Sequence, residues 1–535
     1  MIRILLLTSV LVYLIDKLQF DLHMFQQNSY RNKRYFRWLK GAHNRFIKGN
    51  DNMIMVSALL YGGSAYVKDT PSTLLGLMSL VFVVFALKGH RLLVSVRDVK
   101  KKLVYTPRVK RLVATASMIS GLCILLLYNA NDLLLALCIY LLSTLSFGII
   151  MLSKLINTPI ENHINKWYYN DAKRILAENP NRIVIGITGS YGKTSTKNVI
   201  AQTLSRDYNV LATPASYNTL MGVIRTIREE MKPTHQVFIA EMGAREPGDI
   251  KEICDLVMPD FGIITSIGPQ HLETFKTIEN IAKTKGEMFE GIKPGGKAFV
   301  NLADERIKNL PRRSDIDYIG FGENGFECEE TGKCYLSKNL NISGDGTGFD
   351  FCFPSGITLC VNTKLLGAHN VSNVLCALSV ANELNADMFR IMSSLSDIRP
   401  TEHRLSLRKG RKGQVIIDDA FNSNPIGSKN ALKVLKAMEG ERKFIITPGM
   451  IELGDQQDEL NKQFGQYIAS DCDYVVLVGK NQTRPIQEGL KEAHFDFSKV
   501  HIADTFLSGY EHLESIMNAN DVLLIENDLP DAFNE

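Results

Sequence analysis

The chain has 535 residues and a formal net charge of +4, and 22% of its residues are charged. A chain of this length is too long for a single hydrophobic core, so we expect three or four domains. The charge is uneven: residues 1–111 carry 19 Lys/Arg against 5 Asp/Glu, a net +14, which leaves −10 for the rest. This asymmetry indicates an N-terminal region that contacts a lipid bilayer, and it argues against nucleic-acid binding.

Five apolar stretches lie in the N-terminal region, and they predict an α-helical transmembrane segment over residues 1–157. Only the last stretch comfortably has the ~20 residues that a bilayer crossing needs. Core helices of a soluble domain are the alternative interpretation. The stretches cover residues 4–15, 53–67, 74–87, 112–127 and 133–152.

The basic residues between these stretches alternate in number. Eight Lys/Arg separate the first two stretches and nine separate the third from the fourth, whereas the second connection carries only Lys68 and the fourth carries none. By the positive-inside rule this predicts about five helices with the N-terminus outside and the rest of the chain in the cytoplasm. Asp16-Lys17 follows the first stretch without a small-residue cleavage site, so we interpret that stretch as a retained anchor and not as a signal peptide.

A glycine-rich turn follows the β-branched run at residues 183–185. The sequence GITGSYGKTSTK, residues 186–197, has the layout of a phosphate-binding loop that opens a helix. The strict pattern requires glycine six residues before Lys193, where this chain has Ile187, so the loop is a variant. We expect the loop to bind nucleotide through Gly189, Ser190, Gly192, Lys193, Thr194 and Ser195.

Beyond the loop, short apolar strands alternate with amphipathic helices, which predicts a parallel α/β sheet. The apolar run at residues 237–240 ends in Glu241, and the run that begins at Phe261 leads to His271. Since the carboxyl ends of such strands line the ligand crevice, both side chains could serve the Mg²⁺ of a bound nucleotide.

Eight ordered blocks between about residues 170 and 525 resemble the Mur ligase family. They include TGSYGKTSTK, EMGAREPGDI at 241–250, KTKGEMFEGI at 283–292, GAHNVSNVLCAL at 367–378 and IIDDAFNSNP at 416–425. The resemblance implies a P-loop central ATPase domain over 170–398 with a small β excursion near 313–366. It also implies a Rossmann-like C-terminal domain over 399–535.

The same resemblance implies an ATP-dependent amide ligase with ATP and Mg²⁺ as cofactors. Lys193 would hold the terminal phosphates, Thr194 and Glu241 one Mg²⁺, and His271 a second. Lys285 matches a family lysine that is carbamylated by CO₂ in several members. A plain phosphate-contacting or surface lysine is the alternative. Asn370 and Asn373 would lie near the adenine, and Arg404 and Asp419 near the phosphates and ribose.

Two regions depart from the family pattern, and both lie where the family would hold its substrate. Nothing before residue 170 resembles the soluble UDP-sugar domain, and the chain ends in the acidic LLIENDLPDAF at 523–533. We therefore expect a bacterial, membrane-anchored ligase with cytoplasmic ligase domains. It would join an amino-acid or peptide amine to a lipid-linked or membrane-delivered carboxylate acceptor in envelope glycan or peptidoglycan synthesis. The alternatives are true D-alanyl-D-alanine ligation to a UDP-linked muramoyl tripeptide, a P-loop ATPase-coupled transporter, and a silent nucleotide binder.

Overall fold

The structure is a computed structural model of the full chain. It forms two compact units, residues 1–166 and residues 167–528. The described residues are 2–40, 49–64, 70–95, 102–127, 132–215, 217–270, 272–323, 325–326, 332–343, 346–421, 423–451 and 453–527.

The secondary-structure elements of the N-terminal unit are all helices among its described residues. The predicted apolar stretches at 4–15, 74–87 and 112–127 lie within single helices, and the described part of the stretch at 53–67 lies in α3. The helices are α1 Ile2–Gln27, α2 Asn32–Lys40, α3 Gly49–Ser64, α4 Thr70–Ser95, α5 Pro107–Leu127, α6 Asp132–Thr144 and α7 Ser146–Ala177.

Two helices among the described residues are long and apolar enough to cross a membrane, judged by length and composition alone. They are the spans Thr73–Arg91 in α4 and Pro107–Leu126 in α5. The fifth apolar stretch, which was expected to be long enough, is not one of these two spans because it is divided at Leu145 between α6 and α7. The Thr144 hydroxyl donates back to the Tyr140 carbonyl at this interruption. Two such helices are weak evidence of a membrane segment, so the five crossings stay a prediction.

The central domain is an α/β layer structure. Its helices are α8 Lys193–Leu204, α9 Leu220–Glu230, α10 Asp249–Val257, α11 Leu272–Phe275, α12 Ile278–Glu290, α13 Glu305–Lys308, α14 Ala368–Glu383 and α15 Met388–Ser393. Its strands are β1 Ile183–Thr188, β2 Val210–Ala212, β3 Val237–Glu241, β4 Phe261–Ile264, β5 Lys297–Asn301, β6 Asp317–Glu323, β7 Lys333–Ser343, β8 Gly346–Cys352 and β9 Thr358–Thr363.

Within the described residues these strands form one sheet in the order β2-β3-β1-β4-β5-β6-β7-β8-β9. The pairs from β2 to β7 are parallel, and β8 and β9 are added antiparallel. The β excursion expected near 313–366 therefore extends the main sheet through β6 to β9.

Strand alternation divides the core of this domain between the two faces of the sheet. Val184 faces a cluster that includes Phe238 and Ile253 of α10. Its neighbour Ile185 faces the other side, with Val199 of α8 and Leu378 of α14. Both faces are covered by helices, which explains why β1 and β3 are almost uniformly apolar.

The C-terminal domain has a second sheet, in the order β10-β11-β15-β12-β13-β14. Among the described residues of this domain, only the β10–β11 pair is antiparallel. The strands are β10 Ser406–Lys409, β11 Val415–Asp419, β12 Lys443–Thr447, β13 Tyr474–Val478, β14 Val500–Ala503 and β15 Val522–Glu526. The helices are α16 Pro425–Ala437, α17 Gln457–Asp471, α18 Arg484–Glu492 and α19 Phe506–Ile516. The domain boundaries at 157, 170 and 398 stay predictions.

Candidate active site

The candidate site lies where three neighbouring strands of the central sheet end. The register pairs Ile187 of β1 with Glu241 of β3, and Thr188 of β1 with Ile264 of β4. The loop 189–192, the Glu241 carboxylate and the segment after β4 are therefore held at one edge of the sheet. This is the position where parallel α/β sheets bind ligands.

The loop after β1 is fixed by hydrogen bonds to the segment after β4. The Ser190 N–H donates to the Ser266 carbonyl at 2.8 Å, and the Tyr191 N–H donates to the Ser266 hydroxyl at 2.9 Å. Gly189 has φ +148°, and a Cβ there would overlap the Thr265 hydroxyl and lie 3.0 Å from the Ser266 nitrogen. Only glycine fits at this position.

Helix α8 begins at this loop without a side-chain cap. Gly192 precedes it with φ +81°, and Lys193 is its first residue. The first N–H groups of any helix have no intrahelical acceptor, so this end presents free donors and a positive dipole to an anion. Thr194 and Ser195 lie in the same first turn.

Lys193 folds back over the loop. Its Nζ donates to the Gly189 carbonyl at 2.6 Å and to the Ser190 carbonyl at 3.0 Å. The pKa of Lys193 is lowered to about 8, chiefly by burial; the Glu241 charge opposes this shift, and the Arg404 charge adds a smaller part to it.

Glu241 is the acidic centre of the site and is 1% exposed. Its Oε1 accepts from the Thr194 hydroxyl at 3.1 Å and from the Asn218 amide at 3.0 Å. Its Oε2 lies 3.0 Å from Lys197 Nζ in an ion pair but accepts no directed hydrogen bond from the described residues. A buried carboxylate oxygen with an open lone pair, beside a threonine hydroxyl, is a donor set that suits Mg²⁺.

Lys285 is buried on α12, as the interpretation of a functional lysine requires. Burial first, and then the positive charge of Lys193, lower the pKa of Lys285 well below its ordinary value. The amine is thereby shifted toward its neutral form, which is the form that reacts with CO₂.

Asn370 and Asn373 lie on α14, packed against α8. The Thr196 hydroxyl donates to Asn373 Oδ1 at 2.7 Å, and the Asn373 amide donates to Asn370 Oδ1 at 2.9 Å. The amide of Asn370 in turn donates to the Leu366 carbonyl. Asn373 thus contacts the helix that follows the phosphate-binding loop, and Asn370 holds Asn373 in place. The placement of both near the adenine stays a prediction.

The C-terminal domain contributes Arg404 and Asp419. Burial lowers the pKa of Arg404, and the charges of Asp419 and Glu241 oppose this, so Arg404 is close enough to the acids of both domains to interact with them electrostatically. Burial raises the pKa of Asp419 to about 6, against the effect of Arg404. Arg404 also stacks over the Phe421 ring at 4.7 Å.

Three residues at this site were not predicted from the sequence. Lys197 belongs to the quoted loop motif and Asn218 to the block that follows it, but nothing in their spacing indicates that both contact Glu241. Glu526 ends β15 beside Asp419, because the register pairs these two residues. Its acidity had been noted only as a departure from the family. His271 lies outside the described residues, so its assignment to a metal stays a prediction.

Two family models match the chain. The Mur ligase middle domain covers residues 187–381, and the Mur ligase glutamate ligase domain covers residues 403–526. The UDP-N-acetylmuramoyl-tripeptide–D-alanyl-D-alanine ligase of Bacillus subtilis (strain 168) is 31% identical over 331 residues, which are 62% of this chain and 69% of the relative. The chain belongs to the Mur ligase family.

Other relatives agree with this membership. The Escherichia coli (strain K12) ligase of the same name is 29% identical over 56% of this chain and 64% of its own length. A crystal structure of MurF from Acinetobacter baumannii has a TM-score of 0.61 at 24% identity and covers 69% of this chain and 78% of that one. MurF from Thermotoga maritima in complex with ADP has a TM-score of 0.58 at 24% identity, and the match covers 68% of this chain and 80% of that one. The chain spans 61% to 69% of the length of the first three relatives.

Membership establishes the class of chemistry. The chain is a Mur-type ATP-dependent ligase, and its cofactors are ATP and Mg²⁺. The expected Mur ligase fold, with its central and C-terminal α/β domains, is confirmed. Residues 1–186 lie outside both family models.

Proposed function

We propose that this ligase joins the amine of D-alanyl-D-alanine to the terminal carboxylate of a UDP-linked muramoyl tripeptide in peptidoglycan synthesis. This was the alternative interpretation of the sequence, and the relatives named above favour it over a lipid-linked acceptor. The observation that carries the proposal is the cluster of Lys193, Glu241 and Arg404 at the edge of the sheet. The chain's relatives are named as ligases of this reaction.

The roles of the residues follow from their charges and positions. When bound, ATP supplies the phosphoryl group that activates the carboxylate, and Mg²⁺ neutralises the phosphates. Lys193 and the first turn of α8 would hold the phosphates, and Thr194 and Glu241 would hold Mg²⁺. Arg404 would bring its positive charge from the C-terminal domain to the same phosphates. These roles consist mainly of positioning the phosphates and Mg²⁺ and of neutralising charge.

Lys285 would act as a carbamate. A neutral lysine amine adds to the carbon of CO₂ and releases one proton, which leaves an N-carboxylate where an ammonium stood. Its lowered pKa and its burial beside the Lys193 charge support this assignment. The resulting negative charge would pair with Lys193 or with a bound cation.

A membrane-delivered acceptor is the second candidate, and the N-terminal unit favours it. The apolar spans in α4 and α5 are only 28% and 22% buried, whereas a core helix of a soluble protein is mostly buried. Leu77, Phe85, Leu122 and Leu125 are each more than half exposed. Such an apolar surface needs a bilayer or another protein to cover it.

Two basic residues of this unit lie near the start of α5. Arg108 and Arg111 are in the first turns of α5 and share Glu161 of α7, at 3.6 and 2.6 Å. Arg108 also lies 4.5 Å from the Tyr30 ring. Cations at the end of an apolar span would meet lipid headgroups or a lipid-linked phosphate.

The test supplies two acceptors to the detergent-purified full chain. One reaction contains UDP-muramoyl tripeptide and D-alanyl-D-alanine, and the other contains membrane lipid extract with mixed amino acids. The leading proposal predicts an amide product, detected by mass spectrometry, and ATP-dependent phosphate release in the first reaction. Product in the second reaction alone would replace it with the membrane-delivered candidate.

A further inference from the structure

Lys197 is a buried cation for which the proposed chemistry has no role. It lies on α8, four residues after Lys193, and is 1% exposed. Lysine is almost never fully buried unless it is paired. Its Nζ lies 3.0 Å from Glu241 Oε2 and donates to the Ala215 carbonyl.

The two oxygens of Glu241 have different surroundings. Oε1 accepts from two neutral donors, Thr194 and Asn218. Oε2 faces the charge of Lys197 and accepts no directed hydrogen bond from the part of the chain that the structure describes. Lys197 therefore balances the charge of the oxygen that a metal ion would need.

We propose that Lys197 is an internal counter-ion that takes the place of Mg²⁺ on Glu241 while the nucleotide site is empty. The inference rests on the proposed role of Glu241 as a metal ligand. Two cations at one buried carboxylate repel each other strongly because the surroundings screen charge poorly. Lys197 then opposes entry of a bare cation, and the negative charge of the phosphates is needed to bring Mg²⁺ in with the nucleotide.

A purely structural role for Lys197 makes the opposite prediction. If Lys197 only orients Glu241 as a ligand, its removal weakens cation binding. If it substitutes for the cation, its removal strengthens cation binding. The sign of the change in affinity therefore separates the two roles without any measurement of ligase activity.

The experiment uses Mn²⁺ as the probe, with binding followed by loss of the free-ion signal in electron paramagnetic resonance. The full chain in detergent is stripped with EDTA and titrated without nucleotide. Lys197→Met should bind Mn²⁺ at least about tenfold more tightly than the unmodified chain. Its melting temperature in EDTA should fall and should recover when Mn²⁺ is added. Lys251→Met removes one exposed positive charge elsewhere and should leave Mn²⁺ affinity unchanged.

Unchanged or weaker Mn²⁺ binding by Lys197→Met would overturn the inference. If that variant does not fold, a second comparison decides. Glu241→Gln leaves Lys197 buried without its carboxylate, so the double variant Lys197→Met/Glu241→Gln should melt at a higher temperature than Glu241→Gln alone. An equal or lower melting temperature of the double variant would contradict the counter-ion role of Lys197.

Failure of the proposed metal-ligand role of Glu241 would be recognised separately. Mn²⁺ binding in the presence of ADP should weaken in Glu241→Gln. If it does not, the metal-ligand assignment of Glu241 is wrong, and the inference that rests on it is overturned as well. Normal dependence on Glu241 together with unchanged affinity in Lys197→Met would overturn the inference alone.

Discussion

At the scale of single residues, Lys285 offers a test of charge sign. If it carries a carbamate, Lys285→Ala should lose at least about 100-fold in ligation rate, a loss typical of one important charged group. Added formate or acetate should restore part of the activity by filling the anionic position. The rate of phosphate release at varied carboxylate concentration measures this. Lys285→Arg should stay inactive, and full activity in that variant would mean that the site needs a cation.

Glu526 carries a prediction about pH. It is fully buried, and burial first and Asp419 second raise its pKa well above the ordinary value. A raised folded-state pKa gives stability that is complete below the unfolded pKa of about 4.5 and is lost as pH rises through the folded pKa. The unmodified chain should therefore lose stability above about pH 4.5, by ~1.4 kcal/mol for each unit of pKa shift.

Glu526→Gln cannot ionise and should escape this loss. Its amide can still accept from the Ser423 hydroxyl, which contacts Glu526 Oε1 at 2.6 Å. Between pH 5 and 9, the melting temperature of the variant should rise relative to that of the unmodified chain as the pH increases. Glu511→Gln, at an exposed position on α19, should follow the unmodified chain. A constant difference across the whole pH range would show that Glu526 does not titrate as described.

At the scale of elements, the loop between β1 and α8 predicts different results for its two glycines. In Gly189→Ala the new methyl group collides with Thr265 and the Ser266 nitrogen, whereas in Gly192→Ala the nearest atom is 3.7 Å away. Gly192→Ala should cost only the left-handed backbone strain, ~1–2 kcal/mol. Gly189→Ala should displace the loop and weaken ATP binding by well over ~10-fold. Calorimetric ATP binding by both variants checks this, and equal small losses would contradict the geometry.

Sequence patterns predicted those elements of the site that depend on local spacing. The strand-loop-helix order predicted that Lys193 and Thr194 lie at the start of a helix after a strand. The acidic end of an apolar strand predicted that Glu241 lies near them, because parallel strands end at the same edge of a sheet. Contacts between distant segments were not predictable. Lys197 meets Glu241 across 44 positions of chain, and Glu526 meets Asp419 only because β15 inserts beside β11. The division of the apolar run at 133–152 between α6 and α7 was likewise not predicted, because hydropathy does not change at Leu145.

At the scale of the whole molecule, the charge pattern predicts the orientation of the N-terminal unit. The 17 Lys/Arg in the two basic connections should stay on the cytoplasmic side. A cysteine placed at Asp69 should react with an impermeant thiol reagent added to intact cells, and one placed at Asn44 should not. Both positions lie outside the described residues. The reverse pattern would put the ligase domains on the side without ATP, and labelling at neither position would count against membrane insertion of this unit.

The central claim is that this chain activates a carboxylate with ATP and passes it to an amine. The most direct test uses ¹⁸O in the carboxylate of whichever acceptor supports turnover by the full chain. We expect one ¹⁸O in each phosphate released, one amide formed for each ATP consumed, and neither product with Lys193→Ala, which should remain folded. Unlabelled phosphate released without an amide product would show an ATPase that is not a ligase, and would contradict this account.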